Sequence, residues 1–163
     1  MEIRQAEYAD LPALRAIYNH EVTHGTATLD LREKSLWDQE TWFFAHNRDN
    51  HPLLAAVEGE AVLGYASLSP YREKEAYATT VELSVYVAPA HRGRGVASAL
   101  MGLLLQLARE DPGTHLVVSV ITGANAASRR LHEKFGFTHS GTIHQAAWKF
   151  GAWQDIENYE LLV

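Results

Sequence analysis

The segment TVELSVYVAPAHRGRGVASALMGLLLQLARE, residues Thr80–Glu110, decides how this chain can fold. Its first part places an apolar side chain at every second position, which is the period of a β-strand. Pro89 ends that strand, and the apolar-rich run that follows predicts a helix from Arg94 to Glu110. A buried strand that leads through a short turn into a long helix is typical of an α/β fold. The apolar members of the strand are Val81, Leu83, Val85 and Val87.

The turn between this strand and helix has the composition of an anion site. Arg92, Gly93, Arg94 and Gly95 stand where the helix begins. Free backbone N–H groups and the helix dipole favour an anion there, and glycine lets a bulky phosphate approach the backbone. The glycines alone fit a turn that serves only to bend the chain. The arginines, which are unfavourable for the helix itself but able to bond a phosphate, favour the anion site.

Two familiar nucleotide loops do not match this turn. The dinucleotide-binding pattern G-x-G-x-x-G requires a third glycine where Ser98 stands, and it normally follows the first strand of a domain. The P-loop requires Gly-Lys-Ser/Thr, which is absent here. The bound anion therefore belongs to some other phosphate-bearing ligand.

The residues before this segment predict strands and helices in alternation. MEIRQA indicates an opening strand, and Asp10 is a suitable N-cap for a helix from Leu11 to Val22. A second helix is predicted over 34–47, and HPLLAAVEGEAVLGYASLSPY predicts a hairpin that turns at EGE. The large side chains expected to face inward from the second helix are Leu36, Trp37, Phe43 and Phe44.

The residues after the segment complete an α/β pattern. HLVVSVI indicates a strand, NAASRRLHEKFG a helix that ends at Gly136, and the tail two strands around a tryptophan-rich loop. We find no Pro/Gly/Ser-rich linker and no repeat. The chain is therefore expected to form a single domain, 1–163, of the α/β class with a mixed sheet.

The composition excludes several classes of function. The chain of 163 residues contains no cysteine, so neither a thiolate nucleophile nor a thiolate metal site is available. A net charge of −6 disfavours general nucleic-acid binding. No long uncharged apolar run and no signal-peptide centre occur, so we expect neither membrane insertion nor export, and a cytoplasmic location. No metal is predicted.

The motif R-G-R-G-V-A, Arg92–Ala97, is similar to the R/Q-x-x-G-x-G/A signature of the GNAT superfamily of N-acetyltransferases. The chain also resembles one subgroup, the phosphinothricin and methionine sulfone N-acetyltransferases, in several segments that occur in order over nearly its whole length. These segments are IYNHEV, GTATLD, GYASLSPYREKEAY, TVELSVYV, NAASRRLHEKFGF and KFGAW.

The resemblance implies a GNAT fold, in which helices flank a mixed, mostly antiparallel twisted sheet, and it implies acetyl-CoA as co-substrate. The acetyl group passes directly to an amine, which agrees with the missing cysteine. Asn125 and Ser128 match cofactor-contacting positions, although a helix cap and a solvent-facing residue explain them equally simply. The implied cofactor-binding residues are Val85, Tyr86, Val87, Arg92, Gly93, Arg94, Gly95, Val96, Ala97, Asn125 and Ser128.

The resemblance implies two catalytic side chains. Glu82 matches a cleft glutamate that serves as general base, whereas an ordinary strand glutamate would face solvent. His132 matches a histidine discussed as proton acceptor or support, and packing against the sheet would explain it equally well. The group that protonates the leaving thiolate stays open, with Tyr86 and Tyr159 as candidates.

Binding of the acceptor is predicted to involve Arg72, Glu75 and Thr80, with Lys74 also available. The aromatic residues Trp37, Tyr77, Trp148 and Trp153 could wall the cleft or simply pack. In KFGAW, Ala152 stands where relatives usually have arginine, so any contact that this arginine makes with the acceptor or a dimer partner is missing from this chain.

Three functions follow from these patterns. The first is acetylation of the α-amino group of a small amino-acid analogue such as phosphinothricin, methionine sulfoximine or methionine sulfone. The second is acetylation of a peptide or protein N-terminus or of a polyamine. The third is a non-catalytic acyl-CoA binding module. The subgroup resemblance also implies a homodimer.

Overall fold

The computed structural model describes residues 1–163 and shows one mixed sheet with helices on both faces. All strands and helices predicted from the sequence are present, which confirms the α/β class. The helices are α1 Leu11–His24, α2 Leu36–Phe44, α3 Val96–Glu110 and α4 Ala126–Lys134; the strands are β1 Glu2–Gln5, β2 Leu53–Glu58, β3 Ala61–Pro70, β4 Thr80–Val87, β5 Leu116–Thr122, β6 Thr138–Lys149 and β7 Ala152–Leu162.

The sheet has 7 strands in the order β1-β2-β3-β4-β5-β7-β6. β4 and β5 run parallel, with α3 as the crossover between them, and every other neighbouring pair is antiparallel. The β4–β5 pairing covers only Thr80–Glu82 on β4 and Leu116–Val118 on β5. The two central strands therefore separate beyond Glu82.

Alternation along the central strands divides the core into two clusters. On one face, Leu68, Val81 and Leu83 pack against Leu100 and Leu104 of α3. On the other face, a smaller cluster joins the sheet to the first helix. The long apolar face of α3 forms the larger core, as its sequence predicts. None of the helices combines the length and the apolar character needed to cross a bilayer.

The prediction for α2 was wrong in its bounds and in its buried face. Ser35 caps the helix by accepting the N–H of Asp38, so Lys34 precedes it, and Asn47 lies beyond its end at φ +54°. Leu36, Trp37 and Phe44, which were expected to face inward, are exposed. The helix instead packs against the cluster between α1 and the sheet through Gln39, Trp42 and Phe43, at helical spacing. Gln39 and Trp42 also border a cavity on that side.

Two further local predictions need correction. Asp10 is the N-cap residue of α1, which begins at Leu11 as predicted, but its side chain does not cap the helix. It bonds the Glu7 N–H and the Arg4 guanidinium instead, because a turn of 3-10 helix over Tyr8–Asp10 precedes α1. The tail has no tryptophan-rich loop, because Trp148 and Trp153 are cross-strand partners in the β6–β7 hairpin.

Candidate active site

A groove opens where β4 loses its partner strand. Beyond Glu82, no residue of β5 pairs with β4. On the other edge, β4 stays paired with β3 from Val81 to Val87, and the Ala88 N–H donates to the Leu63 carbonyl. Because backbone groups alternate between the two edges of a strand, those of Val85 and Val87 point to the open edge. Unpaired N–H and C=O groups are thus available there to an extended ligand.

The groove continues into the glycine-rich turn that precedes α3. Gly93 and Gly95 have φ +74° and +78°, and no atom lies within 4 Å of a Cβ built at either position. α3 begins at Val96, two residues later than predicted, because Gly95 is left-handed and lies outside the helix. The result is a cavity of about 340 Å³ bordered by backbone N–H groups at a helix N-terminus. This geometry suits a phosphate group, as the sequence predicts.

The structure places the two arginines of the turn differently. Arg92 borders the cavity at this turn and forms an ion pair with Glu21 of α1. Arg94 turns towards the β2–β3 hairpin, where its guanidinium donates to both carboxylate oxygens of Glu58 at 3.0 and 3.2 Å. Arg94 is not among the residues that border the cavity. Contact between Arg94 and the cofactor therefore stays a prediction that this arrangement does not favour.

The far wall of the groove is the beginning of α4. The Asn125 side chain caps this helix by accepting the Ser128 N–H at 3.1 Å, and both residues also border the cavity at the turn. Capping and a place at the groove are thus compatible for Asn125. Val85, Val87 and Ala97 complete the lining on the opposite wall, as expected from the sequence.

His132 lies behind the groove with only one ring nitrogen bonded. Its side chain is buried and contacts the Phe137 ring edge-on. Nδ1 lies 2.7 Å from the Ser128 carbonyl, which can only accept, so Nδ1 carries the proton. Nε2 is then an acceptor and has no partner. Burial lowers the pKa of His132, so the ring is held neutral.

A second cavity, of about 580 Å³, lies on the α1/α2 face of the sheet. Its floor is a set of polar side chains in cross-strand register, and its wall carries Asp30, Lys34 and Asp38. Ser84 and Tyr86 border both this cavity and the groove at the open edge of β4. The second cavity and the groove therefore adjoin at Ser84 and Tyr86 of β4. The register pairs on the floor are Tyr65–Tyr86 and Ser67–Ser84, with Ser69 beyond them.

Glu82 stands beside the floor of the second cavity. It is the register partner of Ser69 and lies two residues before Ser84 on the same face of β4. Its side chain is half-buried, and no hydrogen bond or ion pair neutralises it within the chain. Burial raises the pKa of Glu82 above the usual range for a glutamate. A carboxylate of this kind is a stronger proton acceptor than an exposed glutamate.

The predicted acceptor-binding residues are only partly brought together. Thr80 shares the Glu82 face of β4. Arg72 and Glu75 lie on the exposed segment before β4, where the Arg72 guanidinium stacks on the Tyr71 ring at 5.0 Å. Neither borders the second cavity. Of the predicted aromatic wall, Trp37 borders it, whereas Tyr77, Trp148 and Trp153 do not. Tyr159 is buried near His132, with ring centroids 6.1 Å apart.

Sequence reasoning missed several residues of these cavities. Tyr65, Ser67 and Ser69 were detectable, because polar side chains at every second position of GYASLSP mark one face of a strand. Tyr18 was predicted only as part of the first helix, yet its hydroxyl bonds that of Thr28 and donates to the Asp30 carboxylate.

Comparison with known proteins agrees with this geometry. The profile of the family described as Acetyltransferase (GNAT) family matches residues 11–137. Phosphinothricin N-acetyltransferase from Streptomyces coelicolor is 40% identical, over 98% of this chain and 95% of the relative. The L-methionine sulfoximine/L-methionine sulfone acetyltransferase of Salmonella typhimurium is 39% identical, over 99% of this chain and 94% of the relative.

Solved structures are equally similar over the full length. Ribosomal-protein-alanine N-acetyltransferase from Brucella melitensis superposes with a TM-score of 0.95 at 39% identity, covering 100% of both chains. A GNAT superfamily phosphinothricin acetyltransferase from Sinorhizobium meliloti, solved in complex with acetyl-CoA, has a TM-score of 0.94 at 30% identity and covers 99% of this chain and 88% of that one.

Proposed function

This chain belongs to the acetyltransferase (GNAT) family, and on that premise we propose that it acetylates the α-amino group of a small amino-acid analogue. The family assignment makes it an N-acetyltransferase with acetyl-CoA as co-substrate. The proposed acceptors are those named for its relatives: phosphinothricin, methionine sulfoximine or methionine sulfone. We further propose that residues 1–163 act as a single domain.

The residues present fit acetyl-CoA. The open edge of β4 offers the backbone groups of Val85 and Val87 to an extended amide-bearing arm. The left-handed glycines of the turn leave open space in front of the amides that begin α3, as a pyrophosphate requires. Arg92 adds positive charge at the same place. When bound, acetyl-CoA supplies an acetyl thioester that a neutral amine can attack.

Glu82 is proposed as the general base. An α-ammonium group must lose a proton before its nitrogen lone pair can attack a carbonyl carbon. Glu82 does not itself border the second cavity, which is the proposed acceptor cavity. It lies two residues before Ser84 on the same face of β4, and Ser84 borders both that cavity and the groove. Burial raises the pKa of Glu82. It is therefore proposed to take the ammonium proton of the acceptor. His132, which is neutral with a free Nε2, is proposed as a second acceptor or as support on the groove side.

The charges of the acceptor cavity support an amino-acid acceptor, and this observation carries the proposal. Lys34 and Asp30 both border the cavity, 3.4 Å apart and each partly exposed. An amino acid presents a carboxylate and an ammonium, so it can satisfy both signs of charge. A polyamine has no carboxylate that could pair with Lys34. We keep Arg72, Glu75 and Thr80 as proposed contacts for acceptor groups that extend beyond the cavity.

A peptide or protein N-terminus is the second candidate acceptor. It is favoured by the full-length similarity to the Brucella melitensis protein, whose name specifies a protein acceptor. A non-catalytic acyl-CoA binding module is less well supported, because Glu82 stands in the cavity region with a raised pKa.

A thiol-release assay with acetyl-CoA over a panel of amines tests the proposal. Phosphinothricin, methionine sulfoximine and methionine sulfone should be turned over with much higher kcat/KM than alanine-initiated peptides or spermidine. Preference for the peptides would transfer the proposal to the second candidate. Absence of turnover with every amine would contradict acetyl transfer to small amines.

A homodimer is proposed as the assembly. The β6–β7 hairpin presents apolar and aromatic side chains that are each more than half exposed, a composition enriched in subunit interfaces. Light scattering should give twice the monomer mass of 18.2 kDa, and a monomeric mass would contradict the assembly. The exposed side chains are Ile143, Trp148, Phe150 and Trp153.

A further inference from the structure

Glu21 has no role in the chemistry described so far, yet it contacts the turn that is proposed to hold the pyrophosphate. It lies on the inward side of α1, four residues after Ile17 and seven after Leu14, where an apolar residue would be expected. Its side chain is only 10% exposed, whereas that of its partner Arg92 is 52% exposed. A carboxylate is costly to bury unless a cation pairs with it. Its presence on the core side of a helix therefore requires an explanation.

The surroundings of Glu21 are shaped to hold its carboxylate. A Cβ on Gly25 would lie 2.0 Å from Glu21 Oε2, so glycine at that position leaves the space that the carboxylate occupies. The Lys149 ammonium donates to the main-chain carbonyls of Thr28, at 2.8 Å, and of Glu21, at 3.4 Å. These bonds tie the end of α1 to the β6–β7 hairpin. Both the backbone and the side chain of Glu21 are thus fixed.

Arg92 keeps most of its donors free in this ion pair. Only one of its terminal nitrogens bonds the Glu21 carboxylate. A guanidinium has five N–H donors in a planar fork, so the remaining ones can serve a ligand. Arg92 borders the cavity at the glycine-rich turn and also the adjoining part of the groove, which Glu21 itself borders. It therefore stands at the joint between the two spaces.

We propose that Glu21 is a positioning residue for the reaction: it holds the Arg92 guanidinium at this joint, so that the arginine meets the pyrophosphate of the acyl donor without first being ordered. The inference rests on the proposed cofactor site. Ordering a long side chain in advance removes an entropic cost from binding. The Arg94–Glu58 pair gives a contrast, because both of its members are about half exposed and it lies outside the cavity.

The test uses binding of acetyl-CoA and turnover of a truncated donor. Glu21→Gln should raise the Kd for acetyl-CoA by about tenfold, measured by calorimetry, and should raise the Kd for dephospho-acetyl-CoA to the same extent. It should leave kcat/KM with acetyl-pantetheine unchanged, because that donor has no pyrophosphate. Gly25→Ala, which displaces the carboxylate without removing its charge, should act in the same way. Glu58→Gln is the matched control and should change neither the two Kd values nor kcat/KM with acetyl-pantetheine.

A double variant shows whether Glu21 acts through Arg92. Arg92→Ala should weaken acetyl-CoA binding, and adding Glu21→Gln to it should have no further effect. The inference would be overturned if the two changes raised the Kd for acetyl-CoA additively. It would also be overturned if Glu21→Gln lowered kcat/KM with acetyl-pantetheine to the same extent as it weakened acetyl-CoA binding, or if Glu21→Gln bound acetyl-CoA more tightly. Unchanged affinity in Arg92→Ala would instead overturn the proposed cofactor site itself. Weaker acetyl-CoA binding in Arg92→Ala, with unchanged binding in Glu21→Gln, would refute only the role of Glu21.

Discussion

The two halves of β4 differ in how they are held. Thr80 pairs only with β5, and Val81 and Glu82 pair with β3 on one edge and with β5 on the other. From Leu83 to Val87 the strand is bonded only to β3. Val81 in the first half is fully buried, whereas Val85 and Val87 in the second half are partly exposed and border the groove. The backbone of the first half is thus held within the sheet on both edges, whereas the backbone of the second half is open to a ligand on one edge.

The difference shows how one half of a strand can contribute to the stability of the sheet while the other half is open to a ligand. Unpaired backbone groups in a central strand would be costly if they were buried without a partner. Here they open into a groove, where water or a ligand can bond them. Glu82 stands at the boundary between the halves, which gives it the partial burial that raises its pKa and a position beside the acceptor cavity.

The largest expected effect comes from changing the residue at that boundary. Glu82→Gln should lower kcat by about 10²-fold or more, which is typical for loss of a general base, and should leave acetyl-CoA affinity nearly unchanged. Because the base must be deprotonated and burial raises its pKa, kcat/KM of the unmodified enzyme should rise with pH through that raised value. This rise should be absent in the variant. Steady-state kinetics across pH measures both.

Glu60→Gln, the same change at the exposed β2–β3 turn, is the control and should keep full activity and the unmodified pH profile. Full turnover by Glu82→Gln would remove Glu82 from the mechanism and would reduce the boundary between the halves to a structural feature.

The next effect concerns the turn that follows the open half. Gly95→Val places a β-branched residue at φ +78°, which such residues rarely adopt. Affinity for CoA should fall by about tenfold or more, since the backbone at the mouth of α3 must change to relieve the strain. Calorimetry measures the affinity. Gly59→Val is the matched control, because Gly59 also has positive φ with open space around it, but in the β2–β3 turn. Equal loss of CoA affinity in both variants would show that strain, not position, is responsible.

The smallest effect compares matched valines from the two halves. Val81→Ala should lower the free energy of unfolding by about 2 kcal/mol, because it leaves a cavity in the core, and should not alter the KM for acetyl-CoA. Val85→Ala should cost less stability and should raise that KM. Chemical denaturation and steady-state kinetics measure the two quantities. If both variants lost the same stability with unchanged KM, the division between the halves would not hold.

Much of the fold could be predicted because its patterns are local. The alternation in TVELSVYV gives β4 its bounds, and the apolar run after the glycines gives α3. The prediction for α2 failed because its exposed Leu36, Trp37 and Phe44 look like core residues in hydropathy. Which side of a short helix is buried depends on what packs against it, and here the cluster between α1 and the sheet covers the side that carries Gln39, Trp42 and Phe43.

Some features of the candidate site could likewise be predicted from the sequence, and others could not. The glycines of the turn were recognisable, because left-handed backbone and close approach of a ligand require that residue type. The partners of the arginines were not recognisable. Glu21 is 71 residues away from Arg92 in sequence, and no local pattern connects them. The polar floor under the acceptor cavity depends on the β3–β4 register, which pairs Ser69 with Glu82.

By itself, the sequence determined the α/β class, the order of the strands and helices, the glycine-rich turn before α3 and the resemblance to GNAT acetyltransferases, because each depends on residues close together in the chain. Only the tertiary structure decided where β4 leaves β5, how the groove and the acceptor cavity meet at Ser84 and Tyr86, and which carboxylate holds Arg92. These features depend on register and packing between distant segments, and burial there sets the pKa of Glu82.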